Sequence, residues 1–229
     1  MSENKILFIR GFNTIKTNDT YANIHIVLSQ NANNNVVYFS YSPDVDIVKV
    51  YKRLVQVIKD NNDFTHLVGH SMGGGLLMRY MYDHPDDVSK YKRVILLMPL
   101  MYKTPFNKFF LNLPFIRNIY LPNALVLPSA KGYSTGNILN DGFNFSKLQQ
   151  PADMYKKIML ESNVFIDALN EHQLNTVLVY AREEGYNPIP ESVLKKIKNK
   201  VYVNGLHESF NSLETVKEFF EKFLPYFKN

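Results

Sequence analysis

A serine stands between small residues in the stretch His66-Leu67-Val68-Gly69-His70-Ser71-Met72-Gly73-Gly74-Gly75, and this stretch indicates which fold the chain adopts. Before it, the apolar run Phe64–Val68 predicts a short buried strand, and after it Leu76–Tyr82 continues with helical spacing. A serine at the tip of a sharp strand-to-helix turn needs small neighbours two positions before and two after, which Gly69 and Gly73 provide. The pattern predicts a nucleophile elbow with Ser71 as the nucleophile. The alternative is a glycine-rich turn with an inert serine.

Apolar runs of strand length recur along the chain and alternate with helical patterns. Strands are expected at Lys5–Ile9, Val36–Ser40, Phe64–Val68, Val94–Met98, Thr176–Tyr180 and Lys200–Val203. Helical patterns occupy Tyr21–Leu28, Ile47–Ile58, Leu76–Tyr82, Ser192–Ile197 and Leu213–Phe223. This alternation predicts an α/β fold, with a mostly parallel sheet of about six strands and helices on both faces. At 229 residues, we expect one domain spanning 1–229.

One interval, residues 101–170, is longer than an ordinary crossover between strands. Its first part is apolar and rich in proline, and it contains Phe106, Phe109 and Phe110. Its last part resumes helical spacing from Ala152 to Leu169 and contains Phe165. We expect a lid or cap insertion in which these phenylalanines bind an apolar substrate. The alternative is a packed helical layer without lid motion.

Composition excludes several classes of function. The chain has no cysteine, which rules out disulfides, thiolate metal sites and cysteine nucleophiles. No apolar run is long enough to span a bilayer, and no secretory signal is expected at the start, so the sequence favours a cytoplasmic protein that at most contacts lipid peripherally. The net charge of +5 is dispersed, which argues against nucleic-acid binding. No His-Glu-x-x-His or comparable cluster predicts a metal, and no cofactor is expected.

A serine nucleophile requires a base, and the base requires a carboxylate that orients it. Among six histidines, His207 is the best base, because it follows the last predicted strand and so falls at the carboxyl edge of the sheet. The acid is expected after the penultimate strand, where Glu183 and Glu184 are adjacent. We favour Glu184 because Gly185 permits a turn directly behind it, with Glu183 as the alternative.

The negative charge that develops on the substrate requires backbone N–H donors. One is expected from Met72, directly after the nucleophile at a helix start, and the other from Phe12, after the first strand. Gly11 lets the backbone come close there. Arg10 is interpreted either as a bystander or as a partner in a salt bridge of that loop.

Together these segments resemble the α/β-hydrolase family over nearly the whole chain, and Gly69-His70-Ser71-Met72-Gly73-Gly74 is similar to the elbow of its serine esterases and lipases. Two features depart from the family pattern: the acid is a glutamate where aspartate is usual, and Arg10 replaces the usual histidine before Gly11. The resemblance implies a serine hydrolase that cleaves small-molecule carboxylic esters through an acyl-enzyme. An acyl thioesterase with the same residues is the first alternative, and an inactive ligand-binding module is the second.

Overall fold

The structure, a computed structural model, describes residues 4–11, 28–29, 34–41, 46–101, 120–121, 143–144, 157–182 and 189–204, together with 217–218, 221–222 and 225. Its strands are β1 Asn4–Ile9, β2 Asn34–Phe39, β3 His66–His70, β4 Arg93–Leu97, β5 Tyr120–Leu121, β6 Phe143–Asn144, β7 Thr176–Ala181 and β8 Lys200–Val203. The helices whose two ends both lie in the described residues are α1 Ile47–Asp60, α2 Met72–Asp83, α3 Pro85–Val88, α4 Ser162–Glu171 and α5 Glu191–Leu194.

Six of the strands form one sheet in the order β2-β1-β3-β4-β7-β8. Every neighbouring pair in it is parallel, so all six strands end at the same edge. This confirms the predicted parallel sheet of about six strands. β5 and β6 form a separate antiparallel pair inside the long insertion, which the sequence did not predict because each strand is only two residues long.

The central strands of the sheet are buried on both faces, as their continuous apolar sequences predict. In β1, Leu7 and Ile9 belong to one apolar cluster, whereas Ile6 and Phe8 belong to a second cluster on the other face. The first cluster includes the buried residues of α1, α2 and α4. The second includes Leu28, from the short helical stretch 28–29. Both faces of the central strands are therefore removed from water.

Helix α1 shows how sequence fixes an element. Asp46 precedes it, and its carboxylate accepts the amide hydrogens of Val48 and Lys49 at 2.8 and 3.1 Å. These hydrogen bonds are the main reason that the pKa of Asp46 lies below its usual value. Apolar residues then recur on one face, and the buried ones are Ile47, Val50, Leu54 and Ile58.

The predicted helix boundaries differ from the observed ones. Helix α2 begins at Met72, the residue expected at the helix start, and so includes the four residues before the helical pattern Leu76–Tyr82. Within the predicted helix Ala152–Leu169, residues 152–156 lie outside the described residues, and α4 begins at Ser162, after the non-helical residues 158–161. Most of the predicted helices Tyr21–Leu28 and Leu213–Phe223, and most of 101–170, lie outside the described residues. Among the helices in the described ranges, none is long and apolar enough to cross a bilayer.

Candidate active site

The candidate site lies where the strand order reverses. From β1 the chain passes to β2 on one side and then to β3 on the other, which opens a crevice between the carboxyl ends of β1 and β3. Ser71 directly follows β3, and Arg10 and Gly11 directly follow β1. In open parallel sheets, such a reversal is the usual place for ligands.

Ser71 has the backbone conformation of a nucleophile elbow. Its φ of 52° and ψ of −117° fall in a region that residues with a Cβ rarely adopt. Three main-chain hydrogen bonds hold it there: its amide donates to the Leu97 carbonyl at 2.9 Å, and its carbonyl accepts from Leu100 at 2.7 Å and Gly75 at 3.1 Å. Ser71 is only 7% exposed. The surrounding main chain therefore over-determines a strained serine, which is a common signature of a functional site.

Four glycines permit this turn, because each brings its Cα against neighbouring main chain. A Cβ on Gly69 would lie 2.6 Å from the carbonyl oxygen of Gly73, and one on Gly73 would lie 2.2 Å from that of Ile9. On Gly74 it would meet Pro99 at 2.8 Å, and on Gly75 it would meet the Leu100 oxygen at 2.5 Å. The small residues that flank Ser71 are thus required by contact with the start of α2, with β1 and with the turn after β4, as the elbow interpretation predicts.

The turn after β4 supports the nucleophile from the other side. Met98 is buried and has a positive φ of 39°, and its amide donates to the Val179 carbonyl at 2.9 Å. The chain bends at this residue, and Leu97 and Leu100 on either side of it both form hydrogen bonds with Ser71. Sequence reasoning missed this turn. The available signal was Pro99, because proline is common where a strand ends.

Of the two predicted oxyanion donors, only Met72 lies within the described residues. Met72 is the first residue of α2, and the first amides of a helix have no acceptor within the helix. Gly11 is buried at the end of β1, but Phe12 lies outside the described residues. The oxyanion hole formed by Phe12 and Met72 stays a prediction.

The Arg10 side chain is directed towards β2. Its guanidinium carbon lies 5.1 Å from the centre of the Tyr38 ring, and its carbonyl oxygen accepts the Tyr41 hydroxyl hydrogen at 3.0 Å. Burial raises the pKa of Tyr38 to about 12, while the positive charge of Arg10 acts in the opposite direction. The loop after β1 is thus tied to β2 by two aromatic residues.

Four of the six histidines fall in the described ranges. His66 and His70 are each 1% exposed within β3, and His66 Nδ1 lies 2.8 Å from the Thr65 hydroxyl. His84 packs on the Tyr80 ring at the end of α2, with ring centres 4.9 Å apart. His172 ends α4. His207 and His25 lie outside the described residues.

The segments predicted to carry the acid and the base leave the same edge from adjacent strands. Ala181 pairs with Val203, so β7 and β8 end side by side. Asn204 directly follows β8 and stands three residues before His207 in the sequence. Its side-chain amide donates a hydrogen bond to the Glu218 carboxylate at 2.8 Å. Glu183, Glu184 and His207 themselves lie outside the described residues. The Ser71-His207-Glu184 triad therefore remains a prediction.

Of the predicted substrate-binding residues, only Phe165 falls within the described ranges. It is 1% exposed and belongs to the main apolar core, in α4. Phe106, Phe109 and Phe110 lie outside those ranges. Among the residues that the structure does describe, no group of three His, Asp or Glu side chains could hold a metal ion.

Comparison with known proteins identifies the architecture. No protein-family model matches this chain, and no curated protein sequence matches it either. Solved structures do. A monoacylglycerol lipase from Paleococcus ferrophilus is similar at a TM-score of 0.63 and 16% identity, covering 99% of this chain and 95% of the lipase.

Two further structures are similar over nearly the same extent. A soluble variant of the Saccharomyces cerevisiae monoglyceride lipase has a TM-score of 0.61 and 15% identity, covering 98% of this chain and 86% of the lipase. The thioesterase domain from the curacin biosynthetic pathway has a TM-score of 0.61 and 13% identity, covering 97% of this chain and 91% of that domain. This chain therefore has the α/β-hydrolase fold.

Proposed function

We propose that this α/β-hydrolase-fold chain is a serine hydrolase that cleaves carboxylic esters through an acyl-enzyme. The observation that carries the proposal is the backbone of Ser71, held at φ 52° and ψ −117° between β3 and α2 at the reversal of strand order. A buried structural serine has no need of such strain, whereas a nucleophile at the tip of a turn does. The lipases and the thioesterase of the same fold agree with this chemistry.

In the proposed reaction, the Ser71 hydroxyl attacks the ester carbonyl carbon and gives its proton to the His207 imidazole. Glu184, or Glu183 in its place, orients that imidazole and stabilises its positive charge. The amides of Met72 and Phe12 donate to the oxyanion of the tetrahedral intermediate, and each such donor lowers the barrier by about 3 kcal/mol. The imidazolium then protonates the alkoxide oxygen as its bond to the carbonyl carbon breaks, so the alcohol leaves and the acyl group stays on Ser71. Water, activated by His207, releases the acid and restores the serine.

The proposed substrates have medium or long apolar acyl chains. This rests on the aromatic insertion 101–170, in which Phe106, Phe109, Phe110 and Phe165 are proposed to bind the acyl group. Phe165 already contributes to the apolar core. A chain of methylenes gains about 0.8 kcal/mol for each CH₂ that such a surface removes from water.

A thioesterase with the same residues is the second candidate, and the similarity to the thioesterase domain favours it. The attack by Ser71 would be unchanged, and a thiolate would leave in place of an alkoxide. An oxygen ester and a thioester of one acyl chain separate the two candidates. The proposed esterase has the higher kcat/KM on the oxygen ester.

The proposed function is tested with p-nitrophenyl esters from acetyl to dodecanoyl, using wild-type protein, Ser71→Ala and His207→Ala. We expect wild-type hydrolysis that is faster on octanoyl than on acetyl ester, and a loss of at least about a thousandfold in each variant. Faster turnover of acetyl esters would contradict the acyl-chain proposal alone. Hydrolysis that survives in Ser71→Ala would contradict the serine mechanism, and no hydrolysis of any ester or thioester would favour a ligand-binding module.

A further inference from the structure

Hydrogen bonds between described residues fasten both ends of the segment that is predicted to carry the acid. At its start, the Arg182 amide donates to the carbonyl oxygen of Val203, the last residue of β8, at 2.9 Å. At its end, the Ile189 amide donates to the Tyr180 hydroxyl at 2.7 Å, and this hydrogen bond is buried. Residues 183–188, which include Glu183 and Glu184, stand between the two fastenings in sequence.

The Tyr180 hydroxyl is unusual for its position. Tyr180 is 6% exposed in the main apolar core, and its neighbours in β7 are Val177, Leu178, Val179 and Ala181. A phenylalanine would fill the same space without taking a hydroxyl out of water, which has a cost unless the group is hydrogen-bonded. The Ile189 amide is in turn a buried main-chain donor nine residues along the chain that requires an acceptor. The Tyr180 hydroxyl oxygen supplies the acceptor that the Ile189 amide requires.

We propose that Tyr180 is a positioning residue for the catalytic acid. It does not touch the reacting atoms, and it acts by fixing the point at which the acid segment returns to the body of the protein. The other fastening, Arg182 to Val203, joins the same segment to the strand that leads to His207. The two hydrogen bonds thus join both ends of the segment in which the acid is predicted to strands β7 and β8. This inference rests on the proposed function, because it requires the acid to lie between residues 182 and 189.

The test is Tyr180→Phe, measured with an octanoyl ester. The ring stays in the core, and the substitution removes the hydroxyl that accepts the Ile189 amide hydrogen. We expect kcat to fall by about ten- to a hundredfold, the effect of a misplacement of roughly 1 Å in the catalytic groups. KM should change by less than about twofold, because the acid acts on the chemical step and does not bind the acyl chain.

A double-mutant cycle separates positioning from a general loss of structure. If Tyr180 acts through Glu184, adding Tyr180→Phe to Glu184→Gln lowers kcat by less than about twofold, because the carboxylate it positions is already absent. If the acid is Glu183, the same non-additivity appears with Glu183→Gln. Effects that multiply fully in both backgrounds would overturn the inference.

Tyr51→Phe is the matched control. It removes an equally short tyrosine hydrogen bond, from the Tyr51 hydroxyl to Asp83 at 2.6 Å, which involves neither strand end. We expect wild-type kcat for it. If Tyr180→Phe does not fold, Ile189→Pro removes the donor in place of the acceptor. Because Ile189 is also buried in the core, Ile189→Ala, which keeps the amide, is measured beside it, and kcat is expected to fall further in Ile189→Pro than in Ile189→Ala.

A folded Tyr180→Phe or Ile189→Pro with wild-type kcat overturns this inference and leaves the esterase proposal intact. A wild-type protein without ester or thioester hydrolysis overturns the proposed function, and this inference with it.

Discussion

Replacing Ser71 by glycine should stabilise the protein relative to alanine, which reverses the usual order of these two residues. At φ 52° and ψ −117°, any Cβ is strained, at a cost of about 1–3 kcal/mol. Glycine removes that strain, but it loses more conformational entropy than alanine when the chain folds, and this loss offsets about 0.5–1 kcal/mol of the gain in stability. Both variants lose the hydroxyl, so their difference isolates the Cβ. We expect Ser71→Gly to exceed Ser71→Ala in free energy of unfolding by about 0.5–2 kcal/mol.

The assay is urea unfolding of both variants, followed by tyrosine fluorescence and circular dichroism. Ser89 supplies the matched control, because it has an ordinary helical backbone with φ −65° and ψ −18° at the end of α3. There, Ser89→Gly should be less stable than Ser89→Ala by about 0.5–1 kcal/mol. If Ser71→Gly is also less stable than Ser71→Ala, then Ser71 is not strained, and the main observation behind the proposed function is lost.

Three other perturbations test the surroundings of the site. Gly73→Ala should destabilise the protein by about 1–3 kcal/mol in urea and slow ester hydrolysis, because its Cβ would lie 2.2 Å from the Ile9 oxygen; wild-type stability and rate would contradict this contact. Met98→Gly should be more stable than Met98→Ala by about 1 kcal/mol, since φ is 39°, and the opposite order would deny the left-handed turn. Burial raises the pKa of Tyr38 to about 12, which favours the neutral form in the folded protein, so stability should fall between pH 10 and pH 12. Urea unfolding of Tyr38→Phe should show a shallower fall, and an equal fall would refute this cause.

Sequence alone predicts the sheet and the elbow for clear physical reasons. A strand buried on both faces must be apolar throughout, as Ile6 to Ile9 are, and such runs are easy to read. The elbow is readable because close main-chain contacts accept only glycine at two positions: Gly69 lies against the start of α2, and Gly73 lies against the end of β1. Local patterns that follow directly from steric contact are therefore recovered.

Other features depend on tertiary contacts that no local pattern reports. In helix α2 the apolar helical pattern begins only at Leu76, because three glycines are poor helix formers, yet the helix already includes Gly73 to Gly75, which pack closely against neighbouring residues. Met98 gives no turn signal, since methionine in a left-handed conformation is rare and is held there by its surroundings. The role of the Tyr180 hydroxyl depends on the Ile189 amide nine residues later.

The acid could not be chosen from sequence for a related reason. Glu183 and Glu184 are adjacent, and which carboxylate faces an imidazole depends on the path of the segment between Arg182 and Ile189. The sequence gives no long-range constraint on that path. The double-mutant cycle with Tyr180→Phe distinguishes the two glutamates by the background in which non-additivity appears.

The central claim is that Ser71 is an activated nucleophile, and a fluorophosphonate probe tests it most directly without knowledge of the substrate. Purified wild-type protein is treated with the probe beside Ser71→Ala and His207→Ala, and any adduct is mapped by mass spectrometry. If Ser71 is an activated nucleophile, wild-type protein carries one adduct on Ser71, which is absent from Ser71→Ala and strongly reduced in His207→Ala. An unlabelled wild-type protein, or an adduct that persists in Ser71→Ala, would contradict it.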